Sequence, residues 1–205
     1  MEYFYFILFY SVFAFFNVVN HRSFLTSPRV YIFFAVIITF FVGLRGIKEE
    51  YTRIFVRIPE LFDLFSNTIF LEKGYIFGII SSIIRTFGGN SQDLLIIFAF
   101  AGIFIHIFYY RKFTKYYFVA FLIYMSHEMI YKEWSGIRLG LASALVLPCI
   151  YSLKHNKKGW FFFWVFIGAG IHYVGILSIL IYWLQKKRNT SHLILLLIFS
   201  IIISQ

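Results

Sequence analysis

The chain has 205 residues, 60% of them apolar, 23% aromatic and only 14% charged, with a net charge of +10 and a mean hydropathy of +0.79. Soluble domains carry about 25% charged residues, so this composition excludes a water-soluble domain. The basic residues sit in short clusters between apolar runs, which is the pattern of topogenic loops and not of a nucleic-acid-binding face.

A spanning helix needs roughly 20 apolar residues, with a lower limit near 17. Tyr3 to Val19 meets this and ends at Asn20-His-Arg22. Apolar sequence resumes soon after, which reads as a retained helix and not a cleaved signal. Val30 to Leu44 is the next run, extended backwards past Arg29 by a snorkelling stem. Residues 45–74 form the longest polar stretch, read as a loop on the side opposite the basic clusters. Within it, Pro59 to Phe65 suggests a short amphipathic helix at the interface.

Tyr75 to Gly88 is apolar but too short to span, and it carries Arg85. Gly88-Gly-Asn-Ser-Gln-Asp93 reads as a turn followed by a helix cap. Leu94 to Tyr110 spans and stops at Arg111-Lys112. Tyr116 to Tyr131 is interrupted by Ser126-His-Glu128, and Arg138 to Leu153 by a kink at Pro148. Trp160 to Leu184 is broken at Gly168-Ala-Gly170 and by His172. Leu193 to Ser204 is short for a span, with no polar tail beyond Gln205, and suggests a chain cut from a longer fold. The expected fold is therefore all-α, a polytopic transmembrane helical bundle of one domain, with short re-entrant or broken helices. If Tyr75–Gly88 and Trp160–Leu184 each dip in and return, all four basic loops face the cytoplasm, as the positive-inside rule asks. Backbone that bends at membrane depth must line a cavity or be buried in protein, so this arrangement implies a pocket.

Ionisable groups at membrane depth mark function when they face a bundle interior. Arg45 closes a helix and reads alone as a snorkelling stop signal. Arg138 lies away from the basic loops, beside Gly140 and Ala142, which permit close helix approach. A guanidinium presents a planar fork of donors suited to phosphate oxygens. His172 is either a packed histidine donating to a carbonyl or a proton acceptor for a hydroxyl. Glu72 either favours a helix N-terminus or contacts substrate. Glu49, Glu50 and Tyr51 read as a wet loop, and His127-Glu128 as a polar helix contact. Cys149, alone in an apolar run, forms no intrachain disulfide. No phosphate-binding glycine loop, zinc-protease motif or metal-ligand spacing is present, so no cofactor or metal is expected.

Taken in order, Gly43-Leu-Arg-Gly46, the acidic pair before Tyr51, Phe55, Leu71-Glu-Lys-Gly-Tyr75, Ile137-Arg-Leu-Gly-Leu-Ala142 and Gly170-Ile-His-Tyr173 resemble the Wzy/EpsG-type family of O-antigen and exopolysaccharide polymerases. The resemblance covers roughly Phe41 to Leu184, with Glu49-Glu50 where that family usually has Asp. Members tend to be longer than this chain, with further helices after the histidine.

The resemblance implies a bacterial inner-membrane glycosyltransferase working on the periplasmic face, without a metal. It would move a glycan from undecaprenyl diphosphate to a lipid-linked acceptor, with a chain-length regulator as candidate protein partner. Arg45 and Arg138 would hold the diphosphate, and His172 or Glu72 would orient or deprotonate the acceptor. Glu49, Glu50, Tyr51, Tyr75 and Arg85 would contact substrate. The competing expectations are a transporter or flippase of lipid-linked oligosaccharide, for which broken helices are equally suited, and an inactive fragment.

Overall fold

The computed structural model describes residues 2–20, 27–44, 49–60, 74–133 and 136–185, and all the regular structure among them is helical. Helix α1 (Glu2–Val19) is followed by α2 (Pro28–Gly43). Ser27 caps α2, its Oγ accepting from the Val30 amide, and Pro28 follows at the first turn, where a missing N–H costs nothing. Within the polar stretch 45–74 lies a helix, α3 (Glu49–Arg57), that buries Ile54, Phe55 and, just beyond its end, Ile58. It stops ahead of Pro59, which disfavours helical backbone in the residue before it. The interfacial helix expected over 59–65 falls largely outside the described residues.

Helix α4 (Tyr75–Thr86) turns sharply into α5 (Ser91–Phe113) through Gly88, whose φ of 75° suits glycine. The cap expected here is a full capping box. Asn90 Oδ1 accepts from the amides of Gln92 (2.7 Å) and Asp93 (3.2 Å), and Asp93 Oδ2 accepts from the Asn90 amide (2.8 Å). Helix α6 (Tyr117–Ile123) passes into a π-helical segment, Tyr124–Glu133, where the interruption at Ser126-His-Glu128 was expected. Helices α7 (Ile137–Ala144) and α8 (Val146–Lys154) meet at Leu145. The kink expected at Pro148 therefore appears one turn earlier, because a proline ring clashes with the carbonyl four residues back, here that of Ala144.

Helix α9 (Lys158–Ile171) ends at an extended His172 (φ −152°, ψ 134°), followed by a 3-10 turn (Tyr173–Ser178) and α10 (Ile179–Gln185). Helix α10 runs back along α9, with the Tyr182 ring 5.6 Å from Phe161 and 5.5 Å from Phe162. The break expected at Gly168–Gly170 thus falls at His172. The glycines stay helical and serve instead as bare backbone for close packing.

One core joins α1, α2, α5 and α6 around Tyr10, Tyr31, Phe34, Phe118 and Phe121. A second joins α3, α4, the first half of α5, α7 and Ile171 around Phe77, Phe98 and Leu141. Two ends of the bundle are distinct. Asn17 Nδ2 donates to the Lys115 carbonyl (3.4 Å), and Lys112 Nζ sits 4.6 Å from the Tyr151 ring centroid, one turn from Lys154. The end of α1 and the basic turns around 111–115 and 154–158 therefore share one end. At the opposite end, Gln92 Nε2 donates to the Gly43 carbonyl, joining the close of α2 to the start of α5.

By length and composition, two helical stretches among the described residues can cross a membrane, Ser91–Phe113 and Ile137–Lys154; the other apolar helices are shorter. This is fewer than the polytopic map from sequence. Even so, α1 turns Phe4, Leu8, Val12, Phe15 and Val19 outward on one side, an apolar patch that marks contact with lipid or protein.

Candidate functional site

The site is assembled by glycines. Gly74, just before α4, has φ 97°, and a Cβ there would lie 2.7 Å from the Gly170 carbonyl oxygen and 2.9 Å from that of Ile171. A Cβ on Gly170 would lie 2.7 Å from Ile76 Cδ1 and 2.8 Å from Tyr75 Cε2, and one on Gly175 would overlap the Gly168 backbone. Three stretches of backbone therefore touch where no other residue fits: the entry to α4, the end of α9 and the turn after it. The Tyr75 hydroxyl donates to the Phe166 carbonyl (3.3 Å), and the two rings lie 5.3 Å apart. Leu71-Glu-Lys-Gly-Tyr75 and Gly170-Ile-His-Tyr173, nearly 100 residues apart, are thus joined through Gly74, Tyr75, Gly170 and Ile171.

His172 stands at this seam, half-buried. Its amide donates to the Gly168 carbonyl (3.0 Å), its carbonyl accepts from the Gly175 amide (2.8 Å), and its Nδ1 accepts from the Val174 amide (3.3 Å). The ring stacks on Tyr173, centroids 4.5 Å apart. Arg138, second residue of α7, is half-buried and places its guanidinium carbon 5.1 Å from the centroid of the buried Phe77 ring. Helix α7, which carries it, packs against α9 and against the turn that follows His172. Phe77 is held in turn edge-on by Phe98, 5.6 Å away at 75°.

Two helices begin here without a side-chain cap, because Gly74 and Gly136 have none to offer. Their first-turn N–H groups have no intrahelical partner, and each helix start carries about half a positive charge. Counting 1.5 Å per residue, His172 and Arg138 both lie roughly 20 Å from the basic end. Beside them, a groove of about 250 Å³ is lined mainly by apolar groups, with the Ser143 and Ser178 hydroxyls among its walls.

Of the residues singled out from sequence, the structure brings Arg138, His172 and Tyr75 together. Arg85 lies elsewhere, at the far end of α4 and about 15 Å from its start. Its Nη1 donates to the carbonyls of Val56 (2.7 Å) and Ile58, closing off the end of α3. Arg45 and Glu72 lie outside the described residues. Glu49, Glu50 and Tyr51 form the first turn of α3, but their side chains are not among those described. His127 is exposed on the π-helical segment. Among the described residues no three His, Cys, Asp or Glu side chains gather. Phe77 is the functional candidate that sequence reasoning missed. It sits one place after the Gly-Tyr-Ile start of α4, and nothing in a run of apolar residues singles it out.

A half-buried cation, an imidazole and two open helix starts together suit an anionic oxygen, such as that of a phosphate. The family model for EpsG matches residues 28–204. The chain belongs to the EpsG family. The match takes in every element from α2 onward and leaves out α1. EpsG membership ties the chain to polysaccharide biosynthesis and to a membrane, in keeping with its apolar helices. Neither curated proteins nor solved structures give a match. In this EpsG chain the site therefore joins two of the short motifs by which its sequence resembles the polymerases, and brings a third, carrying Arg138, beside them.

Proposed function

We propose that this chain is a multi-pass inner-membrane polymerase of exopolysaccharide or O-antigen repeat units. In this reading the basic end faces the cytoplasm and the site around Arg138 lies within the outer half of the bilayer. The donor is a glycan on undecaprenyl diphosphate, and the acceptor is a lipid-linked repeat unit. An acceptor hydroxyl oxygen bonds to the donor's anomeric carbon while the bond from that carbon to the phosphate oxygen breaks. The electron pair leaves with the lipid diphosphate, and the acceptor's proton passes to a base. Glu72 is the candidate for the base, and Arg45 for a second cation on the diphosphate.

The observation that carries this reading is the convergence of Arg138, His172 and the open starts of α4 and α7. Charge grows on the leaving diphosphate, and preorganised donors in a low-dielectric site stabilise it without reorganising. The neighbouring groove is apolar, as a polyprenyl chain requires. The test is conversion of purified lipid-linked repeat units by the protein reconstituted in liposomes. Lengthened glycans are expected, and Arg138→Ala should remove them. Transbilayer movement of the lipid without lengthening would replace the polymerase with a transporter.

A further inference from the structure

His172 is not placed as a base. The Val174 amide can only donate, so Nδ1 must offer it a lone pair. A neutral imidazole has a single N–H, which must then be on Nε2. The arrangement is fixed by the backbone. His172 caps the 3-10 turn in the role that Ser, Asp or Asn usually fills, and its amide and carbonyl are bonded to Gly168 and Gly175. The close packing of Gly175 on Gly168 holds the Val174 amide where it is. Nε2 already carries its hydrogen and has no lone pair to accept another, so the ring could take up a proton only at Nδ1, by giving up the Val174 amide.

We propose that His172 is a neutral hydrogen-bond donor that directs Nε2–H, together with the Arg138 guanidinium, to one anionic diphosphate oxygen. The proposal rests on the glycosyl-transfer reading for the identity of the anion. As the anomeric carbon–oxygen bond breaks, the electron pair moves onto the diphosphate. Nε2–H shares its hydrogen with that oxygen and keeps the proton, while a carboxylate takes the acceptor's proton.

Three variants separate the roles. His172→Asn can still cap Val174 but does not reach the Nε2 position. His172→Gln reaches that position with an N–H but gives up the cap. His172→Ala does neither. A hydrogen bond to a charged group corresponds to roughly a 10- to 100-fold change in binding. Binding of undecaprenyl diphosphate to the protein in nanodiscs should therefore weaken by about that factor in Ala and Asn and much less in Gln. Glycan lengthening should follow the same order, with the pH profile of Gln matching the wild type. Rescue by Asn alone would make His172 a purely structural cap, and loss in all three with retained folding would restore the base. Nitrogen NMR of histidine-labelled protein, with the His172 signal identified by its loss in the Gln variant, reads the tautomer independently of activity. A proton on Nδ1 overturns the proposal. Should the binding order hold while the wild type lengthens nothing, the polymerase reading fails and the donor role stands.

Discussion

The Phe77 ring lies under the Arg138 guanidinium at 5.1 Å, and both belong to the start of a helix that lacks a side-chain cap. A cation near a helix N-terminus is electrostatically disfavoured. The electron-rich ring offsets part of that repulsion and fixes the direction in which the guanidinium points. Phe77 is thereby a positioning residue for Arg138, supported from behind by Phe98.

Removing the ring should misplace the cation while leaving it charged. A desolvated cation–π contact contributes about 2 kcal/mol, so Phe77→Leu should lower the rate of glycan lengthening by roughly 10- to 30-fold. Phe77→Tyr, which keeps the ring, should stay close to wild type. Equal losses in both variants would make the contact incidental.

The glycine seam predicts an order of stabilities. Gly74→Ala combines a positive φ with collision against two carbonyl oxygens, whereas Gly88→Ala has the positive φ and open space around it. Strain alone costs about 1 kcal/mol, so Gly88→Ala should lower thermal stability slightly. Gly74→Ala and Gly175→Ala should lower it by several times as much, measured as unfolding of the purified protein in one detergent. Comparable shifts at Gly74 and Gly88 would contradict the seam.

Arg85 joins α4 to the end of α3 through backbone carbonyls. Hydrogen bonds from charged groups contribute roughly 1.5–3 kcal/mol. Arg85→Ala should therefore speed amide hydrogen exchange around residues 54–58 and leave 170–175 unchanged. Faster exchange confined to the second region would place Arg85 in the site instead.

Cysteine-accessibility mapping tests the two ends. Probes at Asn20, Lys115 and Lys157 should react from the cytoplasmic side, and probes at Leu44 and Asn90 from the other. Native Cys149 is buried and should stay silent. Lys115 and Lys157 labelled from opposite sides would dismantle the orientation.

Much of the helix order was legible because each boundary has a local chemical cause. Asn90 and Asp93 spell a capping box, Pro28 opens a helix, and the clusters near 111 and 154 close two others. Other features depend on partners that a linear sequence does not show. Residues 49–57 read as loop in the sequence because their charges hide a short apolar face, Ile54, Phe55 and the following Ile58, whose burial depends on α5 and on Arg85. Gly168–Gly170 advertised a weak point, but Gly175 and Gly74 approach those glycines so closely that the chain turns at His172 instead. Arg138 and His172 could be suspected from the expense of charge and imidazole among apolar residues. Phe77 could not, because its role arises only when α7 is laid across α4.

The docking of Gly74 on Gly170 also imposes a timetable. At about 5–20 residues per second, synthesis needs roughly 5–20 s to supply the second glycine after the first. For that interval the start of α4 lacks the backbone it docks against, and its uncapped first amides go without that cover. Completion of the functional centre during biogenesis thus waits on the arrival of α9.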